Sequence, residues 1–205
     1  MRLASCLLAT AALLTAAAPA IAGQVPSVTA KVRAKMLADR VTGSCGGSDY
    51  TVVPSPDGTS ITVLFDNFTA STPGNPWVSC PVSIPLNLPA GYSLGVYQMD
   101  YRGFVHLESG GTARVAIDYA LGKSHPRRHV QTIDKATDGD FTFTERLGPG
   151  QMKRAGCGET AAINLTATLM LPRKSITGES QLTLDSIDGA SRGVTFMVDL
   201  KPCKR

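Results

Sequence analysis

From residue 48 onward, apolar side chains recur along the chain with a period of two. Ile61, Val63 and Phe65 share one face of 60–66, and Val82, Ile84, Leu86 and Leu88 alternate with Ser83, Pro85 and Asn87. Tyr97, Met99, Tyr101, Val105 and Leu107 point one way, as do Ala113, Val115, Ile117, Tyr119 and Leu121. Phe141 and Phe143, then Ile163 to Leu171, then Val194 to Leu200 repeat the pattern. Such alternation marks strands with one buried and one wet face, paired antiparallel. Pro56-Asp57-Gly58, Ser109-Gly110-Gly111 and Asp188-Gly189 supply turns between them. The expected fold is all-β, an antiparallel β-sandwich of about nine or ten strands. Pro85 lacks an amide donor, which puts its strand at an edge or a bulge.

Two segments break the rhythm. In residues 25–40, Val28, Val32 and Met36 recur at helical spacing behind Ser27, giving a short N-terminal helix or an arm. Residues 1–22 carry one Arg, an Ala/Leu-rich run and the small pair Ala20 and Ala22. That is the form of a secretory signal cleaved after Ala22. The run is too short for a comfortable membrane span, and no second one follows. Leu3-Ala4-Ser5-Cys6 precedes the apolar run, the wrong order for lipidation. The domain plan is therefore a signal at 1–22, an arm or helix at 23–40 and a sandwich at 41–205. The expected location is secreted or periplasmic, with no transmembrane segment.

Composition narrows the partners. The chain has 205 residues, 43% hydrophobic and 18% charged, with a formal charge of +4. This is globular composition, and the charge is too mild to call for nucleic acid. Cys45, Cys80, Cys157 and Cys203 remain once Cys6 leaves with the signal. An even count in an exported chain reads as two disulfides. Three pairings are open; Cys45–Cys80 with Cys157–Cys203 is favoured because each pair brackets one block of strands. No C-x2-C spacing supports zinc, and no cofactor motif is present.

Taken in order, Gly43-Ser44-Cys45, Ser55 to Ser60, Thr62 to Asp66, Ser79-Cys80, Leu88 to Tyr92, Asp100-Tyr101-Arg102-Gly103-Phe104, Cys157-Gly158, Ile163-Asn164-Leu165, Leu184-Asp185-Ser186 with Asp188-Gly189, and Cys203 resemble a family of small exported proteins. It is the domain-of-unknown-function family 4360 of bacteria and fungi, and the likeness spans residues 41–203. The resemblance implies export, paired cysteines and an all-β fold. It brings no established activity and no catalytic residues. An aromatic that often precedes the last Cys in that family is replaced by Leu200-Lys201-Pro202, and the basic run 123–129 looks particular to this chain.

Several constellations could carry chemistry. If Glu108 faces Thr112 across the Gly110-Gly111 turn, Tyr101 meets Tyr119, Val105 meets Val115, and Arg102 pairs with Asp118 on the polar face. That face would carry Asp100, Arg102, Phe104, His106, Arg114 and Asp118, a candidate binding surface with an exposed Phe among charges. Lys123, His125, Arg127, Arg128 and His129 form a candidate basic loop within 122–139. Pro126 and the missing Glu argue against a helical zinc site there. Gly189-Ala190-Ser191-Arg192-Gly193 fits G-x-S-x-G, but a strand follows where a nucleophile elbow needs a helix. Asp134, Asp138 and Asp140 lack calcium-loop spacing and read as a turn. Trp77, the only Trp, reads as a core anchor beside Cys80. Asn67 and Asn164 head sequons that matter only in a eukaryotic host.

The function expected is non-catalytic binding of an extracellular or envelope polymer or protein. Two alternatives stand beside it: a small secreted hydrolase or lyase using His106 with Asp100 or Glu108, and a secreted inhibitor or effector acting through the 122–139 loop. The sequence assigns no cofactor, metal, catalytic residue or oligomeric state.

Overall fold

The computed structural model describes residues 35–36, 41–46, 49–108, 111–134, 137–148, 151–157, 161–172, 178–184 and 193–203. The strands are β1 (Lys35–Met36), β2 (Thr42–Gly43), β3 (Asp49–Pro54), β4 (Ser60–Asp66), β5 (Thr69–Thr72), β6 (Trp77–Asn87) and β7 (Tyr92–Leu107). They continue as β8 (Thr112–Leu121), β9 (Arg127–Asp134), β10 (Thr137–Arg146), β11 (Arg154–Gly156), β12 (Ala161–Met170), β13 (Ser180–Thr183) and β14 (Gly193–Pro202). No helix occurs among the described residues. Of the helical candidate at 25–40 only Lys35–Met36 is described, and it pairs as a strand with β6; the rest, like residues 1–22, lies outside the described residues. The strand count exceeds nine or ten because several edge pieces are only two to four residues long.

The strands form two antiparallel sheets. Six strands run β1-β6-β12-β8-β9, with β2 also on β6. In the eight-stranded sheet β3-β4-β14 lead to β7, the sixteen-residue spine. One side of β7 takes β14 along Tyr92–Arg102 and β13 along Phe104–His106. The other side takes β11 and β10. Pro85 sits on a strand flanked on one side only by the two-residue pieces β1 and β2, neither of which registers against it.

Alternation becomes core where the inner faces meet. Ile84, Ile117, Leu165 and Leu169 from the smaller sheet and Val63, Phe65, Met99, Tyr101 and Phe196 from the larger are all 0–2% exposed. Tyr119 reaches across to Phe196, ring centroids 6.0 Å apart. At about 1.5–3 kcal/mol per buried side chain, this layer is what holds the sheets together. Gly103 is buried on the same inner face. A Cβ there would stand 2.0 Å from the Thr183 carbonyl oxygen and 2.6 Å from the Phe141 ring. The Arg102-Gly103 pair therefore combines an outward charge with an inward position that only Gly fits.

The disulfides are Cys45–Cys80 and Cys157–Cys203, the favoured pairing. Cys80 is buried on the inner face of β6. The second bridge closes around the start of β7, where the Cys157 and Cys203 amides donate to the Tyr92 and Gly91 carbonyls. The β3–β4 turn is locked by Asp57, whose carboxylate accepts from the Ser55 and Thr59 hydroxyls at 2.6 and 2.8 Å and from the Thr59 amide at 3.1 Å. Those bonds hold its pKa down at about 2.

Two expectations about β7 are corrected. Tyr97 does not join the inner row: Met197 pairs with Gln98 but Val198 with Val96, so Tyr97 is a bulged residue and stands 36% exposed. More consequentially, β7 and β8 are not a hairpin. The chain leaves β7 in one sheet and enters β8 in the other, so Tyr101 does not pair with Tyr119, nor Val105 with Val115, nor Arg102 with Asp118. Tyr119 registers with Arg127 and Leu165, and Asp118 with Arg128 and Thr166.

Candidate functional site

The crossover divides the expected binding face between opposite sides of the sandwich. Asp100, Arg102, Phe104 and His106 stand on the outer side of the eight-stranded sheet through β7. Arg114 and Asp118 stand on the outer side of the six-stranded sheet through β8. Phe104 is half-buried, not exposed. Asp100 and His106, six residues apart on one strand, lie about 20 Å from each other at the usual rise. They cannot share a proton-transfer site. His106 instead pairs with Asp138 at 3.4 Å across β10, beside a depression of about 300 Å³ lined by Ser71, Pro73, Glu179 and Gln181.

A second concavity lies around Asp100 and Arg102. Five strands put Val53, Thr62, Thr195, Asp100 and Thr144 in one row. In the next row Gly193 registers against Arg102. A Cβ on Gly193 would lie 2.2 Å from the Val63 carbonyl oxygen, and its φ is +137°. Gly is required there, and it leaves a gap between Leu64 and Arg102. The result is a groove of about 330 Å³ whose lining also includes Met197.

Its polar groups are partly fixed. Gln98 donates to both carboxylate oxygens of Asp100 at 2.9 and 3.1 Å, and Thr144 donates to one at 2.6 Å. The Thr62 and Thr195 hydroxyls are bonded to each other at 3.0 Å. Among the described residues no hydrogen bond or ion pair reaches the exposed Arg102 guanidinium. An oriented carboxylate, two hydroxyls and a free guanidinium over Val53, Leu64 and Met197 can bind a hydroxyl-bearing ligand. They contain no base placed against a nucleophile.

The basic loop is corrected as well. Lys123 and His125 are exposed in the 122–126 connection, but Arg127, Arg128 and His129 belong to β9. The register against β8 turns Arg127 and His129 toward the seam between the sheets, and only Arg128 outward, 3.7 Å from Asp118. At the seam Glu145 accepts from Gln131 at 2.6 Å and from the Tyr101 hydroxyl at 3.3 Å, and lies 3.6 Å from His129. Burial, helped by the Glu145 charge, pushes the Tyr101 hydroxyl well above its ordinary pKa. Burial also raises Tyr119, against the opposing charge of Arg127. Asp134 ends β9, while Asp138 and Asp140 lie in β10. Among the described residues no three His, Cys, Asp or Glu side chains group as a metal site. The G-x-S-x-G run falls outside the described residues except for Gly193.

Sequence reasoning missed Val53, Thr62, Leu64, Thr195 and Gly193. The polar positions of 60–66 and 194–200 were the available signal, but strand order was needed to bring them beside Arg102. It also misplaced Trp77, which is 59% exposed on the outer side of β6, while Cys80, three residues on, faces the core.

A secreted protein of Arthroderma benhamiae described as uncharacterized is 29% identical over 166 residues, covering 76% of this chain; the chain spans 66% of that relative's length. With both disulfides formed, this chain is likewise an exported protein. No helix among the described residues is long and apolar enough to cross a membrane. Among solved structures, TmCBM61 in complex with β-1,4-galactotriose is 16% identical at a TM-score of 0.32, covering 80% of this chain and 90% of that one. The CBM22-1–GH10 modules of Clostridium thermocellum xylanase 10B with xylohexaose are 13% identical at 0.29, covering 82% and 28%. Scores this low carry no argument about fold or ligand. The family model described as Domain of unknown function (DUF4360) matches residues 40–203, most of the sequence, and the chain belongs to that family.

Proposed function

We propose that this protein is a non-catalytic binding module that holds an extracellular or envelope polymer in the groove on its eight-stranded sheet. Residues 1–22 direct export and are removed, and the module begins near residue 41. One observation carries the reading: among the described residues Arg102 has no hydrogen-bond or ion-pair partner, and it stands beside a carboxylate that Gln98 and Thr144 hold in place. An exposed charge next to a pre-oriented partner costs little to engage and gives direction to a ligand. Val53, Leu64 and Met197 add apolar contact for the flat side of a repeating unit.

The test is retention on a panel of insoluble polysaccharides, cell walls and lipid vesicles at low and moderate salt. Retention on one polymer class is expected, with Arg102→Ala weakening it by about tenfold or more, the value of a charged hydrogen bond. Absence of retention on every surface, or retention unchanged by Arg102→Ala, defeats the reading. The Asp100–His106 form of the hydrolase alternative gains no support from groups about 20 Å apart. Of its five basic-loop residues, the effector alternative keeps Lys123, His125 and Arg128 as outward contacts.

A further inference from the structure

We infer that the opposite side of the sandwich carries a second, independent site, at which Trp77 and Arg114 receive an acidic glycan, one built from uronic acid residues. The register of the six-stranded sheet sets Trp77 against Met170 on β12 and Met170 against Arg114 on β8, with Thr132 of β9 next in line. All four belong to the outward-facing set of their strands. Trp77 is 59% exposed, Arg114 and Thr132 are exposed and Met170 is half-buried.

Burying a large apolar ring normally stabilises a fold; this indole instead stands 59% exposed on a strand, which leaves its flat face open to a ligand. Its backbone is fixed: the Trp77 amide donates to Asn75 at 3.2 Å, and Leu171 donates to the Pro76 carbonyl at 2.8 Å. The neighbouring row is low at its first three positions and rises only at its β9 end, where Val130 is 47% exposed. Ser79 and Thr168 bond to each other at 3.2 Å, Thr168 is 4% exposed and Ala116 is 0% exposed. The Trp77 row therefore stands as a ridge over a shallow trough.

Charge selects the ligand. The next charged pair on this face, Asp118 with Arg128, is mutually neutralised. Arg114 has no ion-pair partner among the described residues, in a chain of net charge +4. Two strand spacings separate Trp77 from Arg114, about 9.6 Å. The apolar face of one sugar can stack on the indole while a carboxylate further along the chain meets the guanidinium.

The only Trp of the chain reports this side alone. Titrating the full protein with hexagalacturonic acid should shift its emission saturably to the blue, and cellohexaose should do so at least tenfold less effectively. Arg114→Ala should remove that preference, and Arg102→Ala, on the other side, should leave it intact. By calorimetry Trp77→Ala should weaken hexagalacturonate binding by about thirtyfold, as for a hot-spot aromatic, with circular dichroism unchanged. An unshifted emission with both sugars, equal response to both, or a response that Arg114→Ala leaves whole would overturn the inference. None of these outcomes depends on whether the Arg102 groove binds.

Discussion

Gly193→Ala tests the geometry that creates the groove. The added Cβ would sit 2.2 Å from the Val63 carbonyl oxygen, where real contacts essentially never fall below 3.0 Å, so β14 must retreat from β4 by about 0.8 Å. The φ of +137° lies in a region that only Gly occupies freely, at a cost of about 1–3 kcal/mol to Ala. Weakening one or two of the adjoining ladder hydrogen bonds adds about 0.5–1.5 kcal/mol each. A central value of about 3 kcal/mol lowers Tm by about 6–12 °C in a domain of this size. Thermal melts and urea titration measure it, and the urea midpoint should fall while the slope stays constant. Gly139→Ala is the control: its φ is +150°, but nothing lies within 4 Å of the new Cβ. It pays the backbone cost without the collision and should lose less stability. A Gly193→Ala melt within about 1 °C of the parent, or equal losses in the two variants, would refute the close approach of β14 to β4 and the origin of the groove.

Other expectations concern the core, the bridges and pH. Phe196→Ala, which removes a fully buried ring touching Tyr119 of the other sheet, should cost about 3–5 kcal/mol in chemical denaturation. Graded reduction followed by thiol alkylation and mass spectrometry should open Cys157–Cys203 before Cys45–Cys80, because Cys157 is exposed and Cys80 is 0% exposed. Loops of 35 and 46 residues make each bridge worth about 4 kcal/mol in the chain-entropy model. Tyr101 and Tyr119 both have raised folded pKa values, so their contribution is fully present below the unfolded value of 10.0 and is lost as pH rises above it. Phenolate absorbance should show these two ionising only with alkaline unfolding, and a hyperbolic titration of all five tyrosines in the folded protein would contradict this.

The alternation along the chain settled what could be settled locally. It gave most of the strands, though not β9, whose residues read as a basic loop, together with the inner faces of β4, β6, β8, β12 and β14 and most of β7, and the turn at Asp57. The cysteine count gave two bridges, and the ordered family residues gave the family. These properties depend on neighbours in sequence or on counting. Strand partners do not. A period of two says which side of a strand is buried, not which strand supplies its hydrogen bonds. The short link after β7 suits a hairpin as well as a step between sheets, and only packing against β10, β13 and β14 made it a step. That choice split Arg102 from Asp118, and the register of β9 against β8 turned Arg127 and His129 to the seam. One bulge at Tyr97 reversed the facing of the residues before it. Trp77 obeyed its strand's parity and faced water, where apolar character alone had placed it in the core. The groove belongs to the same class: Leu64, Gly193 and Arg102 are far apart in sequence, and non-local strand order alone makes them neighbours.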